Sequence, residues 1–177
     1  MRPTQAMLRP LTDRAMASAG VRHVRNPNMP RARGILTLKD HVYFAKATAE
    51  GSGRNGTVKS NGDAPLELKM AMPKVIGGKG DGQNPEQLFG MGYASCFLGS
   101  LQLMAARANK KHIAENAKVH TNVFLGHPTD PDLEGFGLRV ELSVEGCEDD
   151  EIIAAAHEFC AYSRALKHGV EVTVNKV

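Results

Sequence analysis

Three cysteines, Cys96, Cys147 and Cys160, and one arginine set among glycines, Arg54, are the side chains of this 177-residue chain best placed to do chemistry. The arginine lies in EGSGRNG (residues 50–56), where Gly51, Gly53 and Gly56 spell G-x-G-x-x-G. A dinucleotide-binding loop uses that spacing, but it needs a strand before it and a helix after it, so that helix amides meet the pyrophosphate. A strand pattern does precede the glycines. The stretch after them, TVKSNGDAPLELKM, alternates like strands and carries an N-G turn, so no helix starts there. The phosphate reading fails on context. A glycine-rich turn remains, and it leaves Arg54 unexplained. GGKG (77–80) lacks the spacing and the Lys-Ser/Thr ending of a P-loop.

The cysteines carry a bland reading beside a reactive one. Cys96 lies inside a long apolar run and Cys160 on an apolar helical stripe, where a free cysteine acts as a small hydrophobe. A functional pair requires one thiol activated, by a cation that stabilises the thiolate, and a second within reach. Cys147 sits among acids in EGCEDD, which oppose ionisation, and reads as a bystander. His157 and Cys160 share a helix face at i, i+3, but no C-x-x-C element accompanies them, so a structural zinc site is not supported.

The elements that must position these groups can be read from the pattern. Residues 1–33 hold seven arginines, no lysine and one acid, Asp13; the rest of the chain keeps 15 of the 22 basic and 18 of the 19 acidic side chains, a net of −3. The domain therefore offers no basic footprint for nucleic acid. The leader has no continuous apolar core and so is not a secretory signal. Its Arg-rich, acid-poor composition predicts a mitochondrial transit peptide, or else a disordered basic extension. The expected location is the mitochondrial matrix, with the cytoplasm as the alternative. Residues 34–177 are expected to form a single domain, with 42% hydrophobic residues in the chain and no Trp, hence an aliphatic core.

Alternation predicts strands over 41–50, 57–60 and 65–70, a meander of three. Asn84 as N-cap and Pro85 at the first helical position open a long helix, with no charge from Gln87 to Ala106. A helix apolar on all sides is buried in a protein or a membrane. Gln102, two serines and the flanking strands favour a buried central helix and no membrane span. Strands over 117–126 and 136–146, a helix beginning near Asp149–Glu151, and a last strand over 170–177 complete an α+β order.

Three motifs are more specific. NPEQLFGMGYASCF (84–97) resembles the first cysteine motif of the organic hydroperoxide resistance (Ohr) family, within the OsmC/Ohr superfamily. HEFCAYSRA (157–165) resembles its second motif, usually C-P-Y-S-N-A, and ATAEGSGRNG resembles its G-R-D-G turn. The likeness runs from about residue 41 to the end. It implies antiparallel sheets wrapped around a buried central helix in an intertwined homodimer. It implies a thiol-dependent peroxidase reducing alkyl or fatty-acid hydroperoxides to alcohols, with Cys96 the peroxidatic thiol and Cys160 the resolving thiol. Arg54 becomes the arginine beside the reactive sulfur and Glu86 the carboxylate that holds it. Leu88, Phe89, Met91 and Phe97 are expected to line an apolar substrate pocket. No bound cofactor or metal is implied; lipoylated proteins serve as external dithiol reductant. The alternatives are an OsmC-like peroxidase of broader range, or a non-catalytic peroxide sensor using the same disulfide. Two departures stand out: Ala161 replaces the usual proline and Arg164 the usual asparagine. They are expected to tune resolution or reductant docking.

One geometric conflict remains. Ten residues of continuous helix would separate Glu86 from Cys96 by about 15 Å along the axis. Either the helix breaks around Gly90–Gly92, or the site draws on two subunits.

Overall fold

Pairing begins later than the alternation suggests. In the computed structural model, which describes residues 34–176, β1 (Lys46–Glu50), β2 (Thr57–Asn61) and β3 (Leu66–Lys69) form an antiparallel meander in that order. Residues 41–45 stay outside it, because among the described residues no strand pairs with them. No residue of the three strands is buried. This sheet has strand chemistry but no core of its own.

The turn between β1 and β2 accounts for the glycines. Gly51 and Gly53 have φ of +85° and +58°, backbone that side chains rarely adopt. A Cβ on Gly56 would lie 2.1 Å from the Glu50 carbonyl oxygen. β2 starts at Thr57 with no intervening α-helix, so there is no helix N-terminus to meet a phosphate.

The central helix α1 (Pro85–Arg107) begins as the N-cap signal requires. The Gln87 amide donates to Asn84 Oδ1 at 2.9 Å, and the Asn84 amide donates back to Gln87 Oε1 at 2.9 Å. Such a reciprocal box satisfies two otherwise unpaired amides, and a good N-cap contributes about 1 kcal/mol. Tyr93, Phe97, Leu101 and Ala105, four residues apart, form one buried face of α1. They pack with Ile152, Ala156 and Cys160, also four apart, in a core of mostly small and aliphatic side chains. β4 (Lys118–Gly126) and β5 (Gly137–Glu145) make an antiparallel hairpin beside α1, half-buried at every second residue of β4.

Two expectations are corrected by the structure. The second helix is not one element but two, α2 (Asp150–Phe159) and α3 (Ala161–His168), broken at Cys160 with φ −60° and ψ 127°. Phe159, the last residue of α2, turns outward beneath the Arg107 guanidinium, which lies 4.9 Å from its ring centroid. The terminal strand over 170–177 does not form. Val170 makes a single parallel bridge to Leu36, and Val172 and Val174 are 75% and 92% exposed. Alternation gives a segment two faces, but a strand also needs a neighbour to take its backbone hydrogen bonds.

Candidate active site

Arg54 is held by the segment just after the meander. The Met70 amide donates to the Gly56 carbonyl at 2.9 Å, and the Met72 amide donates to Asn55 Oδ1 at 3.1 Å. Residues 69–71 in turn pair with Gln83, one residue before the α1 N-cap. This clamp brings the turn onto the first turn of α1. Arg54 Nη2 donates to both Glu86 carboxylate oxygens at 2.6 Å. Arg54 Nε is buried and has no hydrogen-bond partner. The guanidinium is thus anchored at one end with donors to spare.

Cys96 and Cys160 come together from different elements. Their sulfurs lie 3.4 Å apart and both thiols are free. A disulfide needs a further approach of about 1.4 Å, to ~2.05 Å. Cys160 is wholly buried, whereas Cys96 is only half-buried on α1. The break at Cys160 turns the first amides of α3 toward the pair. Those amides have no intrahelical partner. Burial pushes the Cys96 thiol above its usual pKa, against the pull of the Tyr162 and Ala161 amides. Burial also acts on Cys160, but the Ser163 amide, the Cys96 thiol and the Ser163 hydroxyl outweigh it and hold Cys160 below its usual value. Either sulfur could donate the shared proton. Burial thus favours the protonated thiol at Cys96.

The two halves do not meet within the chain. α1 runs unbroken through Gly90–Gly92, so the helix-break alternative is excluded. Glu86 and its arginine stand about 15 Å along the axis from Cys96. Nor do the four expected substrate residues share one pocket. Phe97 is buried in the core beside the His157 ring. Phe89 stacks on Tyr162 and meets Tyr93 edge-on, with ring centroids at 6.1 and 6.0 Å. Met91 is exposed and lines an open groove of about 1460 Å³ with Arg54, Glu86 and Val123. Leu88 is half-buried and outside that groove.

The aromatic cluster and the Tyr93–Ser163 hydrogen bond were not singled out from the sequence. Gly92 makes the cluster possible, since a Cβ there would come within 3.2 Å of the Tyr162 hydroxyl. The G-Y and Y-S pairs inside the two cysteine motifs were the available signal. Cys147 is a free thiol buried in the same core. Among the described residues no group of three or more His, Cys, Asp or Glu is placed to hold a metal.

A family model described as OsmC-like protein matches residues 78–175, more than half of the chain. An organic hydroperoxide resistance protein of Xanthomonas axonopodis pv. citri is 38% identical over 139 residues, covering 75% of this chain and 93% of that one. The chain belongs to the OsmC/Ohr superfamily, on its organic hydroperoxide resistance branch. An uncharacterised protein of Acinetobacter baylyi is 40% identical over 142 residues, 77% of this chain and 94% of that one. The crystal structure of an organic hydroperoxide resistance protein from Legionella pneumophila superposes with a TM-score of 0.62 at 36% identity, covering 75% and 95% of the two chains. The α+β fold is therefore that of the Ohr family, and a role in peroxide resistance comes with membership.

These relatives come from bacteria, which have no mitochondrial matrix. That overturns the expectation of a mitochondrial transit peptide and a matrix location. An arginine-rich composition is a soft signal, and residues 1–33 lie outside the described residues.

Proposed function

We propose that the chain is a thiol peroxidase for organic hydroperoxides, and that two copies complete each other's active sites. The observation that carries the reading is the pair of sulfurs at 3.4 Å, one wholly buried and one half-buried. Cys96, the more accessible, meets the peroxide. Its thiolate attacks one peroxide oxygen; the S–O bond forms as the O–O bond breaks, and the alkoxide takes up a proton and leaves as the alcohol. Cys160 then attacks the sulfenic acid before a second peroxide oxidises it further. An external dithiol of the dihydrolipoyl type returns the disulfide to two thiols.

The peroxide step needs a cation, and Arg54 is held at Glu86, near the other end of the helix segment from its own Cys96. Arg54 has the right chemistry: a planar fork that can hold a carboxylate on one side and the reacting atoms on another. It stabilises first the thiolate and then the charge growing on the leaving oxygen. Glu86 orients it. Several features support delivery of Arg54 to the Cys96 of a second copy. The Nε donor is buried and unmet. The meander lacks a core, and Val42, Tyr43 and Phe44 on one arm and Val172 and Val174 on the other are exposed. The groove beside Arg54 is larger than the roughly 300–1,000 Å³ typical of small-molecule sites.

Ala161 gives this chain an amide where the family motif has proline. That amide pulls the Cys96 thiol down, less than the Tyr162 amide does. Ala161→Pro removes the N–H with little backbone cost, because proline suits the first helical position and Cys160 already has an extended ψ. The Cys96 pKa is expected to rise, with a loss of about two- to five-fold in peroxide rate near neutral pH that recovers at higher pH. Alkylation of Cys96 against pH measures it; an unmoved or lowered pKa counts against the donor.

The reading is tested by adding one equivalent of an alkyl hydroperoxide and mapping peptides. The expected product is a Cys96–Cys160 disulfide with Cys147 free, re-formed over many cycles with dihydrolipoamide. A disulfide through Cys147, or a halt after one equivalent, overturns it.

A further inference from the structure

Cys160 stands at the break between α2 and α3, with its sulfur 3.4 Å from that of Cys96. A break leaves the direction of α3 open, so something must fix it. The usual proline after the second cysteine would lock one backbone angle there, and Ala161 does not. α3 has little else to hold it: Ser163 is its only buried residue, and Leu166 is exposed. Two ties join its first turn to α1. The Tyr162 ring lies on Gly92, where a Cβ would come within 3.2 Å of the phenol oxygen and 3.3 Å of Cε2. Phe89 flanks the same ring at 6.1 Å, nearly parallel, and Tyr93 at 5.8 Å, tilted. The neighbouring Ser163 hydroxyl shares a hydrogen bond with the Tyr93 hydroxyl at 2.8 Å, and both residues are buried. Gly92 and Tyr93 lie one helical turn before Cys96, the direction in which helical side chains lean. The ring is thus seated two residues from one cysteine and one turn from the other.

We propose that Tyr162, seated on Gly92, is a positioning residue: its ring locks the first turn of α3 to α1 and so holds the Cys160 sulfur at closing distance from Cys96. The inference rests on the peroxidase reading above for the role of the disulfide. In the step concerned, the Cys160 sulfur attacks the sulfenic sulfur of Cys96. The S–S bond forms and the S–O bond breaks. The departing hydroxide combines with the proton that Cys160 gave up and leaves as water. The Cys160 sulfur is oxidised and the sulfenic sulfur reduced, both to the disulfide level, with no further reagent. Tyr162 takes no part in these bonds. It spares the two sulfurs the entropy of finding each other, which is where orientation acts. The Gly-Tyr pair at 92–93 and the Tyr-Ser pair at 162–163 are then two halves of one joint.

A ring that served stability alone would affect melting and leave the chemistry of the sulfur pair unchanged. Two measurements on the full chain separate the roles. In dithiothreitol redox buffers, thiol alkylation and mass spectrometry follow the fraction of Cys96–Cys160 disulfide. In a rapid quench with one equivalent of cumene hydroperoxide, disulfide closure is timed against Cys96 sulfenic acid formation. Tyr162→Ala is expected to lower the disulfide equilibrium constant about ten-fold, a rise of about 30 mV in its potential, and to slow closure to a similar extent. Tyr162→Phe keeps the ring and should match the wild type in both. Gly92→Ala should shift both in the same direction by about two- to five-fold, and add nothing on top of Tyr162→Ala. That dependence is expected only if Gly92 acts through the ring. A folded Tyr162→Ala protein with wild-type potential and closure overturns the inference. If Tyr162→Ala does not fold, unmoved values in Gly92→Ala overturn it; alanine is the better helix former, so that variant should fold. A wild type that forms no Cys96–Cys160 disulfide in the buffers overturns it as well. The redox titration needs no peroxide. A wild type that makes no sulfenic acid with peroxide therefore sinks the peroxidase reading, while the titration still decides the positioning.

Discussion

Peroxide reduction is expected to return when Arg54→Ala and Cys96→Ser subunits, each crippled alone, are unfolded and refolded together. Arg54→Ala by itself should lose about two to three orders of magnitude, the usual effect of removing one donor from a developing anion. Cys96→Ser should be inactive. In a mixed dimer one site pairs an intact Cys96 with the intact Arg54 of the other subunit, and the second site has neither. Equal mixing with random pairing leaves half the dimers mixed, each with one good site of two, so about one quarter of wild-type activity is expected. If Arg54 served its own chain, no combination would contain both groups and activity would stay at the mutant level. The outcome depends on α1 being continuous, which keeps Glu86 and its arginine away from Cys96 of the same chain. Sedimentation of the mixed and parent proteins checks that all are dimers.

Cys160→Ser has the next largest expected effect. Cys96 should still take the first equivalent of peroxide, since the arginine that assists it is untouched. Catalytic turnover with dihydrolipoamide should then fall by about a hundred-fold or more, because the sulfenic acid has no neighbouring thiol and proceeds to sulfinic acid. Intact mass after excess peroxide reads this directly, as a gain of two oxygens in place of a disulfide. Retained turnover would mean that the reductant attacks the sulfenic acid itself. The fold is expected to tolerate the change, since serine is nearly isosteric, at the cost of placing a hydroxyl in a wholly buried site.

What the sequence made legible, it did through local chemistry. Asn84 and Pro85 announce the start of α1 because capping needs only residues three apart. The glycines around Arg54 read as a turn because no helix pattern came after them, and their φ values agree. Long-range partners were harder. Val170, Val172 and Val174 alternate as a strand should, yet alternation cannot reveal whether a neighbour exists, and among the described residues none does beyond one bridge. The break at Cys160 was hidden because EFCAYSRAL contains no glycine or proline, and nothing in local propensity ends the helix there. The expected substrate residues were chosen for being apolar and near Cys96 in the chain. A helix sends such neighbours to different faces, which is how Phe97 reached the core and Met91 the surface.

The distance between Arg54 and the sulfur of its own chain has a consequence for a newly made polypeptide. On the proposed scheme, until it finds a second copy such a chain carries both thiols with Arg54 held away from Cys96, and burial favours the protonated form of that thiol. A protonated thiol is a poor nucleophile. On the proposed scheme the lone subunit is therefore a quiescent precursor, shielded from oxidation before it can be recycled. Reactivity switches on with assembly, and by mass action the cell's supply of active enzyme grows faster than its supply of chains while subunits are scarce.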